Sequence, residues 1–292
     1  MDGMEIMDGY FEVPTNITGA TDIVITIEPD GDMDPMPAAT KLIGGMVADK
    51  MSLLNTSHPA TLGSDFDMAT GGYILATPTN GADTNENSGI WFLDPTSGTP
   101  EKSLNLSTLP DGWIYEGWVV IDGVPVTTGT FSHVMMVDDV APFSGSMGGP
   151  PFPGEDFLMN APNGLTFPTD LAGRTAVISI EPVPDDSPMP FSLKPLVGAI
   201  PVDAVDHTFY SMDNMSGAFP TATAQIVHPT KSLALPELPE GWVYEGWVVI
   251  DGTPLTTGIF IDAAMADSAA PFSGSMSGPP FPGEDFLMNA PD

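Results

Sequence analysis

Cysteine is absent from the 292 residues, which excludes disulfide frameworks, thiolate metal sites and cysteine nucleophiles and leaves the redox compartment unmarked. Basic residues are nearly as scarce: six Lys plus Arg stand against 39 Asp plus Glu, a formal net charge of −33. Such a charge repels phosphate backbones and anionic membrane surfaces, so neither nucleic acid nor a membrane surface is expected as a partner. No run of about 18 apolar residues is present, and the opening "MDGMEIMDGY" has neither the basic nor the apolar region of a signal peptide. The chain is therefore expected to be soluble, without membrane insertion; an exported form whose leader has been removed reads the same way. Helical periodicity is missing too, because 32 Pro and 31 Gly interrupt the chain every several residues.

Charged residues make up only 15% of the chain and hydrophobic ones 42%, too apolar a mixture for a disordered tail. A folded body with an acidic skin is expected, of the kind tolerated in high salt or among divalent cations. The length accommodates two domains of ordinary size.

A duplication supports that count. Lys102 to Pro162 recurs at Lys231 to Pro291 in constant register, with about three positions in four identical. At its centre lie "LPDGWIYEGWVVIDGVPVTTGTF" and "LPEGWVYEGWVVIDGTPLTTGIF", and at its end "PPFPGEDFLMNAP" in both copies. A more diverged repeat pairs Val13 to Pro37 with Phe167 to Pro190 around Ile-Glu-Pro. The order is thus IEP, YEGW, IEP, YEGW. The simplest division is a first domain over 1–163 and a second over 164–292. The first carries an insertion at about 60–100, where "GGYILATPTN" and "SGIWFLDPTSG" flank the polar "GADTNEN" and read as an added hairpin.

"YEGWVVIDG" followed by a run ending "TTGTF" has the composition and turn of a β-hairpin. "DIVITI" and "AVISI" are apolar strands stopped by Glu-Pro, since proline cannot donate to a ladder. The fold class expected is all-β, as tandem immunoglobulin-like β-sandwich modules.

The YEGW segments resemble the C-terminal extracytoplasmic β domain of the anti-sigma-K factor family. The matching positions are Leu109, Pro110, Gly112, Tyr115, Trp118, Gly123, Pro125, Gly129 and Phe131, and again Leu238, Pro239, Gly241, Tyr244, Trp247, Gly252, Pro254, Gly258 and Phe260. The Ile-Glu-Pro runs at Ile27–Pro29 and Ile180–Pro182 are similar to the strand that closes such domains. The resemblance implies a β domain and no enzymatic role. Sigma-factor binding does not carry over, because in the family it belongs to a separate N-terminal domain joined through a membrane span, with no counterpart here. In the family the YEGW-type segment precedes the IEP-type one, whereas this chain opens on IEP and closes on YEGW. Either the domain tolerates permutation because its ends lie close together, giving two tandem sandwiches joined by an ordinary linker, or two terminal half-modules expose apolar faces and open edges. They either pair within the chain or complete one another between chains, which gives a filament unless the rotation closes. The terminal "PPFPGEDFLMNAP" is on that view a docking element, with Phe281, Phe286 and Leu287 as candidates. Tyr115, Trp118, Tyr244 and Trp247 are expected in the repeat core.

Candidate chemistry is thin. Asp30, Asp32 and Asp34 alternate in "EPDGDMDPMP", a possible calcium loop that lacks the glycine and terminal glutamate of an EF-hand. A solvated acidic turn is the plainer reading. Glu155–Asp156 and Glu284–Asp285 are adjacent and poorly arranged as an acid–base pair. His58, His133, His207 and His228 are scattered, with no metal or triad spacing. "SGSMGG" does not meet Gly-x-Ser-x-Gly. Trp113 and Trp118, five apart, point to opposite faces of a strand, which leaves too few exposed rings for a sugar-stacking platform. Sequons at Asn16, Asn55, Asn105 and Asn214 would be surface glycosylation sites in an exported chain.

The sequence therefore leads to a non-enzymatic extracellular or cell-surface structural protein with no cofactor beyond a possible calcium ion, its partner being itself, as a homopolymer or oligomer. A soluble extracytoplasmic sensory or ligand-binding module is the alternative.

Overall fold

The computed structural model describes residues 19–32, 34–81, 83–139, 142–185, 187–225, 235–268, 272–274 and 278–289. Among them the strands are, in chain order, β1 (Ala20–Pro29), β2 (Lys41–Met46), β3 (Met51–Leu54), β4 (Gly72–Leu75), β5 (Gly89–Trp91), β6 (Leu93–Asp94), β7 (Glu101–Lys102), β8 (Trp113–Ile121), β9 (Val124–Phe131), β10 (Gly154–Asp156), β11 (Thr175–Pro182), β12 (Leu196–Ala199), β13 (Tyr210–Ser211), β14 (Asp213–Asn214), β15 (Ala222–Gln225), β16 (Trp242–Ile250) and β17 (Thr253–Phe260). No α-helix occurs among the described residues; three-residue 3-10 turns lie at Phe66–Met68, Glu86–Ser88 and Ser216–Ala218. The sheets are antiparallel and the fold is an all-β sandwich type.

The hairpins follow from their turns. Asp122 and Gly123 both take positive φ, 52° and 85°, as do Asp251 and Gly252 at 50° and 80°. Two consecutive left-handed residues give the tight turn whose twist matches paired strands, so β8 reverses into β9 and β16 into β17. Each hairpin carries one bulge. Gly117 faces Gly129 and Trp118 faces Thr127, leaving Thr128 as the extra residue, and Gly246, Gly258, Trp247, Thr256 and Thr257 repeat the arrangement. A methyl on Gly117 would lie 2.2 Å from Thr128 Oγ1, and one on Gly246 2.2 Å from Thr257 Oγ1. Glu-Gly-Trp on one strand and Thr-Thr-Gly on the next are therefore two halves of one device.

The pairing of the long strands corrects the expected division at residue 163. β8 pairs with β11 over Trp113–Val120, and β16 pairs with β1 over Trp242–Ile250. The middle YEGW and IEP strands complete each other, and so do the outer two. One unit accordingly gathers the described parts of 1–64, 110–112 and 220–292, and the other 65–109 and 113–219. We call them the outer and inner units. Each IEP strand needs a YEGW strand beside it, and this requirement overrides sequence contiguity. The insertion, expected in a domain with the chain's first residues, falls in the inner unit, where β4 and β5 pair as a hairpin through Ile74–Trp91 and Leu75–Ile90.

The outer unit holds the sheet β17-β16-β1-β2 and the pair β15-β3. Ile25, Ile27, Leu42, Tyr244 and Trp247 are buried in it. The inner unit holds the five-stranded sheet β14-β12-β11-β8-β9, the four-stranded sheet β10-β5-β4-β13 and the short pair β6-β7. Tyr73, Phe92, Tyr115, Trp118, Phe157 and Leu196 are buried there. Each large side chain of this kind contributes about 1.5–3 kcal/mol by leaving water.

Candidate functional site

Tyr115, Trp118, Tyr244 and Trp247 are each no more than 2% exposed, and their polar atoms are all used. Tyr115 O–H donates to the Ser107 carbonyl at 2.7 Å and Tyr244 O–H to the Pro236 carbonyl at 2.6 Å, both eight residues upstream. The rings stack on Phe131 and Phe260 with centroids 5.6 Å apart in each case. Trp118 Nε1 donates to Ser179 Oγ at 2.8 Å and Trp247 Nε1 to Thr26 Oγ1 at 3.0 Å, so each YEGW tryptophan is tied to the hydroxyl of the IEP strand beside it.

Between those tryptophans and tyrosines lie glutamates that the sequence reading did not single out. Glu116 and Glu245, from the YEGW strands, and Glu28 and Glu181, from the IEP strands, are all buried. Burial pushes the Glu181 carboxyl up to about 7, with the nearby Asp185 charge adding to the effect. It raises Glu116 as well, where the Asp185 carboxyl and the Glu181 charge push the same way and the Thr127 hydroxyl opposes them. In the outer unit burial likewise raises Glu28 and Glu245, with Asp32 adding to both. Thr127 and Thr256 donate to one oxygen of Glu116 and of Glu245 respectively. Glu28 Oε1 accepts from Ala38 N at 2.9 Å, whereas Glu28 Oε2 and Glu116 Oε2 are buried with no hydrogen-bond partner among the described residues. Lys41 and Lys194 are the cations that these groups feel. Each unit thus encloses one acidic cluster with less positive charge than it has carboxyls.

A second set of carboxyls organises "PPFPGEDF". Asp138 accepts from Gly154 N at 2.8 Å, and Asp267 from Gly283 N at 2.8 Å. Burial raises Asp138 to about 7 and Glu155 to about 8. In the inner unit the motif becomes β10 and pairs with β5, Gly154 facing Trp91 and Asp156 facing Gly89. Asp156 is fully buried and accepts from Thr79 N at 2.8 Å, the Thr79 hydroxyl at 2.5 Å and Trp91 Nε1 at 2.8 Å. Its role is to hold the inserted hairpin. An open surface depression beside it is lined by Thr79, Asn80, Gly145, Ser146, Met159 and Pro168.

The Asp30–Asp34 run does not converge. Asp32 Oδ1 accepts from Asp34 N at 3.0 Å and Asp34 Oδ1 from Met36 N at 3.0 Å, so these carboxylates close successive local turns. Asp32 is the member that also reaches the buried cluster, through its field on Glu28 and Glu245. Among the described residues no three acidic or imidazole side chains are arranged to hold a metal ion. Of the docking candidates, Phe281 and Leu287 are half-buried, while Phe286 is buried against Phe272 with centroids 5.5 Å apart and faces its own unit. That placement turns the Phe286 ring away from any partner and leaves only its main chain for docking. Asn55 is half-buried and Asn105 exposed; Asn214 is exposed, but its Nδ2 donates to the Phe66, Asp67 and Ala69 carbonyls. Asn16 and His228 lie outside the described residues. His58 Nε2 lies 3.0 Å from Asp22 Oδ1, and His207 lies 3.9 Å from both Glu86 and Asp206, so the described histidines do not gather.

The glutamates had a legible signal, since Glu116 and Glu245 sit mid-way along apolar strands in both copies. Trp91 and Thr79, which clasp Asp156, had none, because only the fold brings them together.

No family model, curated protein or solved structure matches the chain. Among the described residues no helix is long and apolar enough to cross a membrane.

Proposed function

We propose that the chain is a non-enzymatic structural protein of the extracellular space or cell surface, built of duplicated immunoglobulin-like modules, and that it self-associates head to tail. The observation that carries this reading is the exchangeability of one strand pair. β8–β11 and β1–β16 have the same register, Trp118 facing Val177 and Trp247 facing Val24, yet the second joins residues about 220 positions apart (Thr26 and Glu245 differ by 219). A β16 supplied by a neighbouring chain would make the same contacts as the chain's own. Because donor and acceptor surfaces differ, such exchange runs head to tail and propagates into a filament unless the rotation closes. The tyrosine hydroxyls bonded to carbonyls upstream favour the immunoglobulin-like assignment, in which a comparable corner is found. The non-enzymatic reading is supported by where the polar groups of the repeat core go: the Trp118 and Trp247 indoles and the Thr127 and Thr256 hydroxyls are taken up in cross-strand bonds. An acidic surface suits a compartment rich in salt or divalent cations.

Light scattering across a wide range of protein concentration, followed by electron microscopy, tests the proposal. Mass should rise with concentration and with added salt, and linear particles should appear. A compact monomer at every concentration and ionic strength would overturn it and favour a soluble sensory or ligand-binding module.

A further inference from the structure

Residues 142–162 recur at 271–291 with one change, Ser277 for Gly148, and the described parts of the second copy repeat three contacts of the first. Ser144 Oγ accepts from Asp156 N at 3.3 Å and Ser273 Oγ from Asp285 N at 3.3 Å. Phe143 packs on Phe157 at 5.9 Å and Phe272 on Phe286 at 5.5 Å. Asp138 and Asp267 clasp Gly154 N and Gly283 N alike.

What differs is the covering. In the inner unit Phe92 N donates to the Pro153 carbonyl at 2.9 Å, and Phe157 N to the Ser88 carbonyl at 2.7 Å. Three glycines admit the hairpin. A methyl at Gly149 would lie 2.4 Å from the Trp91 ring, one at Gly154 2.5 Å from the Ile90 carbonyl, and one at Gly145 2.3 Å from the Thr79 carbonyl. In the outer unit, a methyl at Gly278 or Gly283 would meet nothing within 4 Å among the described residues, and one at Gly274 only Leu287 at 3.2 Å. Gly283–Asp285 forms no ladder, and the Asp285 carboxylate has no hydrogen-bond partner among the described residues. Among the described residues the outer unit therefore has the acceptor without a covering hairpin.

We propose that Pro282–Phe286 is a docking edge for a β-hairpin strand supplied by another polypeptide, with a Gly-aliphatic-Trp sequence at the pairing positions and a threonine beside it. The strand adds to the edge through main-chain bonds, its indole N–H and threonine groups bind Asp285, and the ring lies over Gly278. The chemistry of this partner is read from the occupant that the same residues already hold in the inner unit. The hairpin of a second copy is not the donor, since it is engaged in its own inner unit. The inference is independent of self-assembly, because a monomer would bind such a strand equally well.

A cyclised, fluorescently labelled peptide of residues 77–92, titrated with the full chain and followed by anisotropy, tests it. One peptide should bind per chain, and Asp285→Ala or a Trp91→Ala peptide should weaken binding about tenfold or more. Gly278→Leu, placed in open space and so compatible with folding, should abolish binding while the circular dichroism is unchanged. Absence of binding up to about 1 mM peptide, or binding indifferent to both chain variants, would overturn the proposal. So would binding that begins only after residues 226–234 are replaced by a Gly/Ser linker, because the edge would then be filled from within the chain.

Discussion

A tyrosine hydroxyl that reaches back eight residues fixes where each YEGW strand begins. Replacing Tyr115 or Tyr244 by phenylalanine keeps the ring stack and leaves the Ser107 or Pro236 carbonyl without its donor. Each change should cost about 1–3 kcal/mol, measurable as a lower urea midpoint with an unchanged slope. The buried glutamates act in the opposite sense. Their folded-state affinities for protons are raised, so the stability they contribute is fully present below the ordinary carboxylate range and is lost as pH rises through about 7 to 8, the values reached by Glu181 and Glu155. Melting temperature should fall between pH 5 and pH 8. Glu181→Gln, which cannot ionise, should flatten that fall, and a profile unchanged by the substitution would refute the role given to this carboxyl. These glutamates escaped the sequence reading because a charge inside a strand ordinarily marks its solvent face, and only the partner strand turns that face inward. The aromatic positions were legible, since large rings recurring in two copies have few uses other than a core.

At the scale of elements, the turn and the bulge specify each hairpin. Gly117→Ala would drive a methyl into Thr128 Oγ1, and overpacking of this kind costs about 1–3 kcal/mol. Thr128→Ala in the same molecule should recover part of the loss, and a double-mutant cycle on thermal denaturation measures the coupling. The Asp-Gly turns and the Glu-Pro stops could be read directly, because their conformational demands are local. The fate of "PGED" could not. The same letters are a buried strand at Gly154–Asp156 and an unpaired, partly exposed edge at Gly283–Asp285, since a ladder depends on a second strand that local sequence does not contain.

On the scale of the molecule, the sequence order of half-modules stated that partners must be found, but contiguity suggested the wrong boundary. Removing residues 235–292 deletes β16 and β17 and leaves β1 without its neighbour. The outer unit should lose its transition in scanning calorimetry while the inner unit, whose strands lie within 65–219, keeps its own. Loss of both transitions would show that the inner unit does not stand alone. The charge of −33 acts on both. Raising salt from about 0.05 M to about 1 M shortens the screening length several-fold, so both transitions should move upward.

The pairing of β1 with β16 also decides how the molecule would bear traction. Tension applied at the two ends enters the outer unit from both sides and crosses β1–β16 directly, while the inner unit lies on a bypassed excursion of the chain. Pulled in optical tweezers, single molecules should always yield first by outer-unit rupture, and only then present the inner unit to the load. The nested arrangement makes one half of the protein a mechanical fuse for the other.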